Sequence, residues 1–383
     1  MLFIKNGYIK TMVTEDIENG CLLIGDDGRI AAVGKDIAPP EGAHIIDAEG
    51  RLVTPGCVEA RCHVGLGEPL IGWAGSDINE STDPVTPQMR AIDGINPRSP
   101  NFADAVRGGV TSLCVAPGSA NIVGGTAVAI KSAGRRVDDM IIKDPVAMKC
   151  AFGENPKNFY GQQSKKAPKT RMAIAALFRE LLVKAKAYSD DIDAGVPVKR
   201  DLKLEALVPV IKGEMPLKAH AHRADDIFTS IRIAKEFGLK LTLDHCTEGH
   251  LIAEELAKEG FPALVGPSFG GRSKAELEFK SFTTAAVLHK AGVEVSIITD
   301  ASVTPIENLP MFAAMAVDAG LPVEAAWRAI TVNPAKAIGI FDRVGSLEVG
   351  KDGDAVIWTA DPMTTVCARA KVTVINGKIE YTE

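Results

Sequence analysis

The chain has 383 residues, 46% hydrophobic and 24% charged, with a formal net charge of −6. That is one large domain or roughly two or three ordinary ones, with ample core. The acidic balance argues against a nucleic-acid partner, because phosphate binding needs a basic face, and no apolar run approaches the length of a membrane span. The opening MLFIKNGYIK lacks the apolar core and small-residue cleavage site of a signal peptide. Seven scattered cysteines, odd in number and without a CxxC pair, read as reduced thiols of a cytoplasmic protein.

Residues 1–52 read as all-β. Leu2–Ile9, Cys21–Ile24 and Ile30–Val33 are short strands, with a hairpin signal at Asp27-Gly28. His44–Ala48 and Leu52–Val53 flank a turn at Glu49-Gly50. These strands are too few to close a core. Ala355–Trp358, Lys371–Ile375, the Asn376-Gly377 turn and Ile379–Thr382 supply the rest. The expectation is a composite β-sandwich built from residues 1–52 and 345–383.

From Val53 the pattern changes to alternating strands and helices, which implies a parallel sheet. A first strand ends at Glu59–His63. Gly65–Pro100 is polar and too long for a simple connection, so it reads as a lid or mouth loop. A helix at Phe102–Arg107 and a strand at Gly109–Val115 follow, then a glycine-rich loop, Gly118–Gly125. Ala127–Lys131, Met140–Lys143 and Val146–Lys149 are strand candidates, Thr170–Tyr188 is an amphipathic helix, and Asp190–Arg200 a charged loop.

Leu217–His245 reads as strand, helix, strand. Lys218, His220 and His222 alternate with Leu217, Ala219 and Ala221. Asp225 and Asp226 suit a helix N-terminus, Ile227, Phe228, Ile231, Ala234 and Phe237 recur at helical spacing, and Gly238 suits the C′ position. A second strand delivers His245 at its end, and parallel neighbours place their C-terminal ends on one edge. Beyond it come a helix at Leu251–Lys258, a strand at Ala263–Gly266, a loop carrying Arg272, a helix at Thr283–Lys290 and a last strand, Val293–Asp300. Helices at Met311–Ala319, Pro322–Ile330 and Asn333–Ile338 complete this part. About eight parallel strands over residues 53–344 suit an α/β fold of the (β/α)8 TIM-barrel type. A doubly wound open sheet is the alternative.

Strand alternation gathers Arg61, His63, Lys149, His220, His222, His245 and Asp300 on the inward rim. Of seven histidines, five (His63, His220, His222, His245 and His250) fall near this edge. Each candidate has an ordinary structural role as its alternative: a hydrogen-bonded histidine, a solvated lysine, an aspartate capping a helix, an arginine paired with Glu59. Convergence from separate strands is what favours a site. Glu154 and Asn155 are mouth residues. Gly118–Gly125 reads as turn geometry, since it matches no phosphate-loop spacing. Arg272 is either a carboxylate-holding residue or a solvated charge.

The layout resembles the amidohydrolase superfamily, near its imidazolonepropionase-like and prolidase-like members. The resemblance is carried by Ile45–Gly50, by Thr54-Pro55-Gly56 before the first barrel strand, and by Gly345–Ala355 where the chain re-enters the sandwich. It implies hydrolysis of a C–N bond (amide, cyclic amide or dipeptide-like) in a small molecule, one or two divalent metals, zinc first with iron or manganese as alternatives, and association into homo-oligomers. It also implies His63, Lys149, His220, His245 and Asp300 as metal ligands, with Lys149 in the position that some members carbamylate. His222 competes with His220 for the ligand position, or serves in catalysis or substrate binding, for which Arg272 is the other candidate. Asp300 would be the general base.

The departure is Arg61, where the family has the first His of its HxH motif. Arginine stays protonated and cannot ligate. Three outcomes follow: one metal on Lys149, His220 and His245 with the guanidinium standing in for the other cation; a metal on His63, Asp300 and the remaining histidines; or Arg61 paired with Asp300 or Glu59 and an empty site. The last corresponds to a catalytically degenerate member that keeps the barrel for binding or assembly.

Overall fold

A computed structural model describes residues 1–68 and 71–383. Residues 69–70 of the expected mouth loop lie outside the described residues.

The two chain ends build one eight-stranded sheet. Its N-terminal strands are β1 (Leu2–Ile9), β2 (Ile17–Ile24), β3 (Ile30–Gly34), β4 (His44–Asp47) and β5 (Leu52–Pro55). Eight strands follow in a second sheet: β6 (Cys57–Cys62), β7 (Val110–Val115), β8 (Val123–Lys131), β9 (Ile141–Ala151), β10 (Leu217–Ala221), β11 (Leu241–His245), β12 (Ala263–Val265) and β13 (Val295–Ile297). The first sheet is then completed by β14 (Ala355–Trp358), β15 (Ala370–Ile375) and β16 (Lys378–Thr382). β5 pairs in parallel with β1 and antiparallel with β14, which joins the two ends of the chain.

The second sheet runs β6 to β13 in sequence order and forms a nearly closed barrel. Beyond the last ladder pair, its ends are joined by the Glu59 carboxylate, which accepts from Thr299 N–H at 2.8 Å and from Thr299 Oγ1 at 2.6 Å. The fold is therefore the expected barrel with a separate terminal sheet, with one correction. The strands are not all parallel, because β8 is antiparallel to both β7 and β9. The connection over residues 116–122 is shorter than the dozen or so residues a parallel crossover takes, so the chain doubles back. Val123, Gly124 and Gly125, expected in a glycine-rich loop, are the first residues of β8.

The helix Ala224–Phe237 forms where the periodicity places it. Asp225 and Asp226 lie in its first turn, and Gly238 closes it in the left-handed conformation at φ 68°. Ile227, Ile231 and Ala234 are buried in the layer around the barrel, where each isoleucine contributes about 1.5–3 kcal/mol relative to exposure. Small residues of the barrel strands, Ala60, Cys114, Ala127, Ala129 and Ala147, pack with Leu264 and Ile298 in a separate cluster. The segment after β6 is no free lid. Its backbone bridges β8 at Val85 and Arg90, and Tyr160 Oη lies within 3.0 Å of the Glu80 and Asp83 carbonyls. Among the described residues no helix is long and apolar enough to cross a membrane.

Candidate active site

The register of β10 on β11 builds the site. Lys218 stands opposite Thr242 and His220 opposite Asp244, while Ala219 and Leu243 turn to the outer core. His222 continues the face of His220. His245 pairs with Ala221, an outer-core residue, and by simple alternation would follow it outward. It does not, because His245 and Cys246 take left-handed backbone angles, φ 74° and 47°. Non-glycine residues seldom adopt that region, and such strain concentrates at functional sites. The result is three imidazoles with ring centroids 4.4–4.6 Å apart, whose ligand atoms all lie within 4.8 Å of one another.

Each ring is held from behind by its Nδ1. His245 Nδ1 donates to the Gly266 carbonyl at 2.6 Å, which puts the proton on that nitrogen and leaves a lone pair on Nε2. His222 Nδ1 meets Thr247 Oγ1 at 2.7 Å and His220 Nδ1 meets Ser119 Oγ at 2.9 Å. The Nε2 atoms of His222 and His245 are buried and have no partner. Asn155 Nδ2 approaches His220 Nε2 at 3.3 Å. Burial pushes all three imidazoles well below the ordinary histidine value; neighbouring histidines add to this at His220, Lys274 at His222 and Arg61 at His245. Neutral rings anchored through one nitrogen, with the other free, are what a metal ion takes from histidine.

A second group lies beside the first. Arg61 is in direct contact with the Asp300 carboxylate. His63 Nε2 is 3.4 Å from the same Asp300 oxygen, and His63 Nδ1 donates to the Ala116 carbonyl at 2.7 Å. Arg61 Nη2 donates to Ser119 Oγ at 3.1 Å, so a chain of polar contacts runs Asp300–Arg61–Ser119–His220. Lys149 is fully buried and donates to the Cys150 carbonyl at 2.8 Å. Burial, then the Arg61 charge, brings its pKa down to about 7.

The structure thus brings His220, His222 and His245 together, and separately brings Arg61, His63 and Asp300 together. Arg272 is solvent-exposed on its loop, next to Lys280, whose ammonium donates to the Gly270 carbonyl at 2.7 Å. His250 is engaged with Thr284 Oγ1 at 3.0 Å.

Sequence reasoning missed Ser119, Asp244 and Glu276. Asp244 holds the buried Lys218 at 3.3 Å and accepts from Thr242 Oγ1 at 2.9 Å. Strand alternation opposite His220 could have found it. Glu276 lies in the short turn Ala275–Leu277 after β12. Its Oε2 accepts from Glu154 N–H at 2.9 Å, and its Oε1 stands 3.6 Å from His222 Nε2 and 3.8 Å from His220 Nε2.

The arrangement tests which residues suit a divalent ion. A site sharing Asp300 would place a cation against the Arg61 guanidinium, and Lys149 faces its neighbour's carbonyl, so that side does not suit one. The orphaned Nε2 atoms of His222 and His245 do.

Comparisons with known proteins agree with this architecture. The amidohydrolase family model matches residues 204–379. A crystal structure of an amidohydrolase from Thermotoga maritima MSB8 shares 39% identity over the whole of both chains, with a TM-score of 0.95. An amidohydrolase of Hapsidospora irregularis is 32% identical over 89% of this chain, which spans only 38% of that protein's length. The imidazolonepropionase of Acidiphilium cryptum is 25% identical over 92% of this chain and 90% of its own. The chain belongs to the amidohydrolase family.

Proposed function

We propose that this chain hydrolyses an amide, cyclic amide or dipeptide-like C–N bond of a small molecule, using one divalent ion held by His220, His222 and His245. The observation that carries the reading is the pair of buried, unpartnered Nε2 atoms on His222 and His245, each ring anchored through its other nitrogen. An imidazole set suits zinc first, with iron or manganese as alternatives. When bound, such an ion lowers the pKa of its water and polarises the scissile carbonyl.

The remaining chemistry falls to the chain's own residues. Asp300 accepts the proton of the attacking water and passes it to the leaving nitrogen. Arg61 orients that carboxylate and places a fixed positive charge where other members of the family carry a first HxH histidine. His63 Nε2, facing the same oxygen, shares its proton traffic. Arg61, Lys274 and Lys280 act on His222 as positive charges. That field favours a substrate bearing a carboxylate, and Arg272 on the exposed loop is the residue placed to receive it.

Elemental analysis of protein purified without chelator tests the reading. The expected result is about one zinc, iron or manganese per chain. A protein that is metal-free and stays so after incubation with zinc contradicts it, and leaves the catalytically degenerate alternative that the Arg61–Asp300 pair favours.

A further inference from the structure

We infer that Glu276 is the fourth protein ligand of this centre, making it a three-histidine, one-carboxylate site closed from the loop after β12. The inference rests on the metal reading above and adds a ligand from a segment that contributes none of the expected ones.

Three observations carry it. First, the carboxylate is almost completely buried, at 1% exposure, and its Oε1 has no hydrogen-bond partner. A buried carboxylate oxygen is costly without a cation; the Lys274 ammonium, 2.5 Å away, is the one that a metal ion would displace. Second, Oε1 lies 3.6 and 3.8 Å from the Nε2 atoms of His222 and His220. Two ligand atoms each about 2.1 Å from a tetrahedral ion stand about 3.4 Å apart, close to these two separations; the group whose ligand atoms all lie within 4.8 Å comprises the three imidazoles alone, so the carboxylate would have to move in toward His245. Third, the carboxylate is aimed by its other oxygen. Oε2 accepts from Glu154 N–H at 2.9 Å, and Glu154 Oε2 accepts in return from Glu276 N–H at 3.2 Å. This reciprocal clamp ties the end of β9 to the loop after β12 and leaves only Oε1 facing the imidazoles.

The ordinary alternative is that Glu276 is simply the counter-ion of Lys274, whose Nζ lies 2.5 Å from Oε1. That contact is an ion pair whose angles fall short of a hydrogen bond. Lys274 also donates to Asn155 Oδ1 at 2.9 Å, which gives the ammonium a partner to keep if a metal ion takes Oε1. An ammonium beside the carboxylate also does not explain why two histidine lone pairs face the same point.

The test is metal binding, read without turnover. Protein freed of metal by dialysis against chelator is titrated with Co²⁺, followed by visible absorption, and with Zn²⁺ in competition with a chromogenic indicator. Wild type is expected to bind about one ion per chain with the strong visible bands of a four-coordinate cobalt site. Glu276→Gln keeps the size of the side chain and should weaken zinc binding at least about 100-fold and change the cobalt spectrum. Wild-type affinity and an unchanged spectrum in Glu276→Gln would remove Glu276 from the centre while leaving the three-histidine site intact. No binding by wild type would overturn both readings together. Should circular dichroism show Glu276→Gln unfolded, Glu276→Asp decides: about ten-fold weaker binding is expected, and unchanged affinity overturns the assignment.

Discussion

On the proposed reading, Arg61 sets how many cations this pocket takes. The guanidinium fills one position with permanent charge, touches the Asp300 carboxylate and donates to Ser119. Arg61→His should therefore free Asp300 and let His63 join a second site, raising metal content toward about two ions per chain; unchanged content in elemental analysis would count against that placement. Asp300→Asn should cut turnover of a panel of amides, cyclic amides and dipeptides by about 10²–10⁴-fold, with a lower melting temperature but a folded protein. Near-wild-type rates would remove Asp300 from proton transfer. Lys149 makes a separate prediction about pH. Its folded pKa of about 7 lies well below the ordinary lysine value of about 10.5. Between those values the unfolded chain binds the proton that the folded one has lost, so Lys149's contribution improves as pH rises through that window, and its penalty is greatest below it. Thermal melts of wild type and Lys149→Met near neutrality and in mild alkali should show wild type gaining on the variant as pH rises. Parallel trends would contradict a buried, neutralised amine.

At the scale of elements, the site depends on where strands stop alternating. The His-x-His pair on β10 was legible because period-2 spacing and the following helix signals agree over one short stretch. His245 was legible as a strand end, though not its left-handed backbone, which breaks the alternation to bring the ring inward. The reversal of β8 was missed because Ala127–Lys131 reads the same in either direction; only the shortness of the preceding connection betrays it. Glu276 and Ser119 were illegible for another reason. Each sits in a loop without periodicity and reaches the site only through tertiary contacts, with Glu154 in one case and His220 in the other. Gly153 permits the first of these contacts. It has φ 83°, and a Cβ there would lie 2.8 Å from both Asp226 Oδ2 and Glu276 Oε2. Gly153→Ala should cost about 1–3 kcal/mol in a denaturant melt and displace the Glu276 carboxylate. A variant as stable as wild type, with undiminished zinc affinity, would show that this crossing is not tight.

Across the whole molecule, the barrel and the terminal sheet share buried charge. Lys131 on β8 reaches Asp354 at 2.7 Å and Asp352 at 2.9 Å, where the chain re-enters the terminal sheet, and Arg343 grips Asp352 with two contacts of 2.8 Å. All three Lys131–aspartate partners are nearly without solvent, so Lys131→Met strands carboxylates and should cost about 3–5 kcal/mol in a urea melt that stays a single transition. An unchanged midpoint would mean that the two sheets do not lean on this cluster. The proposed cation site keeps to the histidines of β10 and β11 and leaves the arginine-filled end of the rim without an ion. The most direct measurement is a zinc-soaked crystal recorded at the zinc absorption edge. The account predicts an anomalous peak within bonding distance of His220, His222 and His245. A peak among His63, Lys149 and Asp300, with none at the three histidines, would contradict it.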